Sequence, residues 1–153
     1  MATNMYIEFE PKIGPGKLEI LSWSHGFAQP TSPTRSTAGS GTVEQANHSN
    51  LTFTKYLDAS TNELLKYCWS GKQFDKATLT CFRADGAADN KPVEYLQIVM
   101  EHVVIANYSV SGGPGDVPVE NVSLDYGTIQ YNYKDQKSGD SSATHNLKTG
   151  TVS

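Results

Sequence analysis

Apolar and polar residues alternate over short runs along most of the 153-residue chain, and in one place that period of two gives way to a helical one. Leu51 and Phe53 point one way and Thr52 and Thr54 the other, the pattern of a half-buried strand. From Ser60 the spacing changes. Ser60 and Glu63 form a Ser-x-x-Glu capping box, and Leu64, Leu65, Cys68 and Trp69 then fall along one side of a short amphipathic helix over about Thr61–Ser70. Gly71 stops it, because glycine takes the left-handed conformation without a Cβ penalty.

The other runs predict strands. Met5, Ile7 and Phe9 alternate between Asn4 and Glu10, and Pro11 ends that ladder. From Leu18 to Gln29, Leu21, Trp23 and Phe27 share one face, while the other changes from Leu18 and Ile20 to Ser22, Ser24, Gly26 and Ala28. A small polar face on a strand that is apolar behind it suggests a surface bathed in water or closely approached by a partner; an ordinary solvated sheet face reads equally well. Ala77, Leu79 and Cys81 alternate in the next strand. In Val93 to Ser111 the apolar set passes from Leu96, Ile98 and Met100 to Val99, Val103 and Ile105. A second phase slip, from Val122, Leu124 and Tyr126 to Ile129, Tyr131 and Tyr133, predicts a bulge at Gly127-Thr128 that re-aims the strand without ending it. Two long bent strands predict a mainly β fold, a small closed or nearly closed barrel of two sheets. The polar residues from about 135 onward predict a loosely held tail.

One stretch fits neither period. Pro30 to Asn47 holds a single sizeable apolar residue, Val43. Structureless loops this long are uncommon inside compact domains unless functional or disordered, and strands flank both ends, so the stretch predicts a long arm projecting from a sheet.

Composition narrows the classes. The length suits one domain over 1–153. A net charge of −4 without any Lys/Arg cluster argues against nucleic acid as a partner. No run is long and apolar enough for membrane insertion, and MATNMYIEFEPK lacks the basic and apolar regions of a secretory leader, so synthesis in the cytoplasm is expected. Cys68 and Cys81 fit no zinc or redox spacing and read as small buried residues, and four Asn-x-Ser/Thr sequons read as chance. No cofactor motif appears: Gly14-Pro15-Gly16-Lys17 lacks phosphate-loop spacing. Ser24 and His25, adjacent on a strand, point to opposite faces and make no nucleophile pair, so no catalytic residue and no enzyme is expected. No metal-ligand spacing is present; a trio from distant positions, His25, His48 and His102, stays open.

Five blocks in order carry a resemblance: Trp23-Ser24-His25-Gly26; Leu51-Thr52-Phe53-Thr54-Lys55-Tyr56-Leu57-Asp58; Cys68-Trp69-Ser70-Gly71-Lys72; Glu94-Tyr95-Leu96-Gln97-Ile98; and Glu120-Asn121-Val122-Ser123-Leu124. Together they resemble Hcp, the haemolysin-coregulated protein family of bacterial type VI secretion systems. The resemblance implies a small β-barrel with one helix, a homo-hexamer whose rings stack into a tube, and sheath, spike and baseplate proteins as partners. It further implies export without a signal peptide and carriage of small secreted effectors in the ring lumen. Ser24 of the Trp-Ser motif is implied to face that lumen, with Ser22 beside it. The arm, with Thr34, Arg35, Ser36, Thr37, Gly39, Ser40 and Gly41 at its centre, is implied to reach neighbouring subunits or the next ring. One departure stands out, since the family often carries an aromatic residue before an Asn-Leu pair and here His145 precedes Asn146-Leu147. The rival readings are a phage tail-tube protein, and a β-sandwich ligand-binding module or enzyme using Tyr131 and Tyr133 as an aromatic face.

Overall fold

The structure, a computed structural model, describes residues 4–29, 47–84, 92–135, 139–147 and 151–153. Among these residues, twelve strands and one helix follow in the order β1 (Asn4–Glu10), β2 (Lys17–Glu19), β3 (Ser22–Ser24), β4 (Phe27–Ala28), β5 (Asn47–His48), β6 (Leu51–Tyr56), α1 (Thr61–Ser70), β7 (Phe74–Ala84), β8 (Pro92–Ser111), β9 (Val119–Asp125), β10 (Thr128–Asp135), β11 (Gly139–Asn146) and β12 (Thr151–Val152). One sheet runs β12-β11-β10-β8-β7-β1-β2, and a second, β3-β6-β9, joins it through the far half of β8. Two sheets sharing one long strand give the nearly closed, mainly β architecture that the alternation predicts. Ile7, Phe9, Leu79, Ile98 and Met100 from the first sheet and Leu51, Phe53, Val122 and Leu124 from the second fill the space between them, all essentially without solvent contact.

β8 serves both sheets because it bends. Residues 96–101 pair with β10 and residues 104–111 with β9, and between them His102 takes φ 55°, a left-handed conformation rare for a residue with a side chain. The corner shifts the core-facing set from Ile98 and Met100 to Val103 and Ile105, the slip visible in the sequence. Across from it, the Gly127 amide donates to the Glu101 carbonyl at 3.0 Å. The chain here does not merely bulge: β9 ends at Asp125 and β10 begins at Thr128, one in each sheet.

The single strand expected from Leu18 to Gln29 is three short ones. The Ile20 amide donates to Met5 and the next amide, Leu21, to Thr54, so the chain leaves β1 and takes up β6 within one step. This corner buries Leu18, Ile20 and the inner side of Trp23 but leaves Leu21 exposed, so Leu21, Trp23 and Phe27 do not share a face. Beyond β10, the polar residues expected as a loose tail pair in register: β11 lies along β10 from Asn146 opposite Thr128 to Gly139 opposite Asp135. Their ladder is held by backbone groups, which composition does not report.

The helix stands where predicted but is held differently. Ser60 makes no side-chain cap; its hydroxyl donates to Asp58 Oδ1 at 2.5 Å, and its amide to the same oxygen at 2.8 Å. Glu63 turns outward instead, accepting the Gly14 amide at 2.7 Å. Gly14 has φ +54°, and a Cβ there would sit 2.8 Å from the Ser60 Cβ, so glycine lets the 13–16 turn close onto the helix start. Leu64 is fully buried, and Tyr67 stacks on Phe74 with centroids 3.9 Å apart. Trp69, expected on the same side, is 76% exposed: the buried stripe runs through Leu64, Tyr67 and Cys68. Gly71 ends the helix in the left-handed region, as predicted.

Candidate functional site

The second sheet has one apolar and one small polar side. Trp23, Phe53, Val122 and Tyr108 turn toward the core. Behind them two cross-strand rows run over four strands, Ser22-Thr54-Asn121-Ser109 and Ser24-Thr52-Ser123-Asn107. All eight are neutral hydroxyl or amide residues, exposed or half-exposed. Ser22 and Thr54 share a hydrogen bond of 2.6 Å, and Thr52 and Ser123 one of 3.0 Å. Such a face stays hydrated and offers neither a charge nor an apolar patch for tight, unselective adhesion. Ser22 and Ser24 lie on it as the strand pattern suggested; the other six come from three strands that only the register brings alongside. Thr34, Arg35, Ser36, Thr37, Gly39, Ser40 and Gly41 lie outside the described residues.

The same fold gathers a second group, which the sequence does not announce. Tyr126 Oη lies 2.7 Å from both His25 Nε2 and His48 Nδ1, His48 Nε2 is 2.7 Å from His145 Nδ1, and His25 Nδ1 bonds the Tyr131 hydroxyl. Phe27 packs edge-on against His25, His48 and Tyr131, and beside it opens a cavity of about 390 Å³ walled partly by Ile129, Ala143 and Val152. Burial, then the neighbouring His48, lowers the His25 pKa to about 4. Burial, then His145, lowers that of His48. Burial raises the Tyr126 phenol, helped by Tyr131 and Asp125, and pushes Tyr131 up to about 12. The trio left open as a metal site is not assembled: His102 sits at the β8 corner and His145 takes its place, and among the described residues no group of His, Cys, Asp and Glu is placed to hold a metal. Both ring nitrogens of His25 are engaged by tyrosines, which leaves none for Ser24 on the opposite face.

Both cysteines are free, Cys81 buried and Cys68 half-buried. Among the described residues no helix is long and apolar enough to cross a membrane.

Residues 10–133 match the family model described as "Type VI secretion system effector, Hcp". The chain belongs to the Hcp family. Protein hcp1 of Pseudomonas aeruginosa is 34% identical over 145 residues, covering 90% of this chain and 86% of that one. The crystal structure of Hcp1 from Salmonella typhimurium superposes over the full length of both chains with a TM-score of 0.81 at 26% identity. A type VI secretion system effector from Yersinia pestis shares the fold, with a TM-score of 0.72 at 24% identity over 93% of this chain and 98% of its own. Hcp is thus the family of both the sequence and the architecture, and it makes this chain a protein of type VI secretion.

Proposed function

We propose that this Hcp protein assembles into six-subunit rings that stack into the inner tube of a type VI secretion system, with the Ser22-to-Asn107 face lining the lumen. The observation that carries the proposal is the two rows of small neutral side chains across β3, β6, β9 and β8. A passage that must hold an effector during assembly and release it afterwards is served by weak, hydrated, uncharged contacts. Outward-facing apolar residues, among them Leu21, Trp69, Val110 and Val117, support subunit contacts elsewhere on the surface. The edge strands β2, β3 and β12 carry backbone groups that a neighbour in a ring would cover. Stacking is a heterologous contact, so it grows into a filament. The segment around Thr34–Gly41 reaches the next ring or subunit in this scheme, with sheath, spike and baseplate as outer partners, small effectors as cargo and export without a leader peptide. The test is Ser24→Arg, at an exposed position with no core contact. Rings of unchanged size that retain less co-purifying effector are expected; unchanged size with unchanged retention would remove Ser24 from the lumen.

A further inference from the structure

We propose that Tyr131, His25, Tyr126, His48 and His145 form a proton-counting clasp that fastens the β4–β5 ribbon to the main sheet and releases it when a second proton enters the chain of hydrogen bonds. Among the described residues the β4–β5 pair is a two-stranded sheet of its own and shares no ladder with the other strands. Its register sets Phe27 opposite His48 and Ala28 opposite Asn47, and the Ser49 amide donates to the Gly26 carbonyl at its closed end. Side chains dock it: His25, Phe27 and His48 on the ribbon side meet Tyr126, Tyr131 and His145 on the side of β9, β10 and β11.

Four hydrogen bonds join the five groups end to end. With all rings neutral, each imidazole holds one N–H and each tyrosine one O–H. One ordering has Tyr131 donating to His25, His25 to Tyr126, Tyr126 to His48 and His48 to His145; the reverse ordering serves as well. Every link then carries one proton, and one of the two outer ends, the Tyr131 hydroxyl or His145 Nε2, carries the remaining one. A single added proton fills the other end and leaves all four links intact. A second has no vacant place. It must either set N–H against N–H between His48 and His145, or have both His25 and His48 donate to Tyr126, whose own O–H then loses its acceptor.

Among the described residues no carboxylate offsets this charge, and the backbone hydrogen bond between His25 and Ser49, which favours the charged ring, is outweighed by burial and by His48. The titratable groups meeting the three imidazoles are Tyr126, Tyr131 and the imidazoles themselves, and no ion pair joins a carboxylate to any of them. The acid beside the cluster, Asp125, uses Oδ1 to accept the Tyr126 amide at 2.9 Å. The lowered values of His25 and His48 agree with the geometry: the clasp's contribution is complete above the ordinary histidine range and lost as pH falls toward the lowered values. Since β4 and β5 bracket residues 30–46 in the sequence, acid release would free the ribbon that carries that segment. The inference is independent of ring formation.

Hydrogen exchange of the full-length protein, followed by mass spectrometry from about pH 7.5 to about pH 4.5 and corrected for intrinsic rates, tests it. Amides of residues 25–29 and 47–50 should exchange at least about tenfold faster at the acid end while β7 keeps its protection. His145→Asn keeps a polar atom at the Nδ1 position but takes no proton. In that variant a second proton must charge His25 as well as His48, so release moves to lower pH. Tyr126→Phe, nearly isosteric, should show the fast ribbon already at neutral pH. A ribbon whose exchange is flat with pH in the natural sequence, a His145→Asn profile superimposable on it, or a slow ribbon in folded Tyr126→Phe overturns the clasp.

Discussion

Lys55→Met isolates one charge in a fully enclosed ion pair. Lys55 and Glu120 face each other across β6 and β9, both 0% exposed, with the ammonium paired to the carboxylate. Tyr108 donates to the other Glu120 oxygen, and Lys55 Nζ also reaches Asp58 Oδ1 at 3.0 Å and the Tyr56 carbonyl at 3.2 Å. Methionine matches the lysine stem but removes the counter-charge, leaving a carboxylate in the core with one phenol. Breaking a buried pair this way costs about 3–5 kcal/mol. Spread over the unfolding entropy of a chain this size, that lowers Tm by about 6–20 °C. Removing the second charge as well should help. Lys55→Met with Glu120→Gln keeps an acceptor for Tyr108 and should recover at least about half of the loss, because the expensive species is the unpaired ion rather than the missing bond. Urea and thermal melts at one fixed protein concentration read both variants, which keeps any self-association constant. A single variant within about 1 kcal/mol of the natural protein, or a double variant no more stable than the single, would refute the reasoning.

The helix offers a paired test: Leu64→Ala should cost about 2–5 kcal/mol, whereas Trp69→Ala should stay within about 0.5 kcal/mol by the same melts, and a reversed order would mean that the buried stripe has been misplaced. At Asp58 partial burial pushes the carboxyl pKa up, but hydrogen bonds from Ser60 and Lys55 and the Lys55 charge outweigh it and hold the pKa below the ordinary value. Its stabilisation is therefore present above the unfolded value of about 3.9 and lost as pH falls through the lower folded one. The gap in urea midpoint between the natural protein and Asp58→Asn should shrink below about pH 4; a gap that persists unchanged to about pH 2.5 would contradict this.

Much of the fold was legible because burial on one face forces a period of two. Ile7, Phe9, Ala77, Leu79 and Cys81 are buried as their alternation demands, and both phase slips, near Met100 and at Gly127, mark places where the chain passes between sheets. What alternation could not show was how sharply it turns. The corner at Ile20-Leu21 takes a single peptide step, and two residues of apolar pattern cannot distinguish a continuous strand from a change of partner. β11 escaped because serine, threonine and aspartate form a ladder through their backbones when a neighbour such as β10 is already in place. The helix cap failed for a related reason. Ser60 and Glu63 both found partners from outside the local motif, Asp58 and Gly14, which a four-residue pattern does not contain. Of the candidate site, Ser22 and Ser24 were visible on their own strand, but the polar face needed Thr52, Thr54, Asn107, Ser109, Asn121 and Ser123 beside them, and that depends on register. The histidine–tyrosine cluster was invisible for the same reason, since its members lie far apart in sequence and meet only once β9, β10 and β11 are laid beside the ribbon.

The central claim is assembly around a polar lumen, and the most direct test is the mass of the native protein by light scattering across a concentration series, with negative-stain images of the same fractions. The account predicts a species near 100 kDa, six chains of 16.7 kDa, with ring-shaped particles that stack at the highest concentrations. A mass of one chain at every concentration, in fractions without rings, would contradict it.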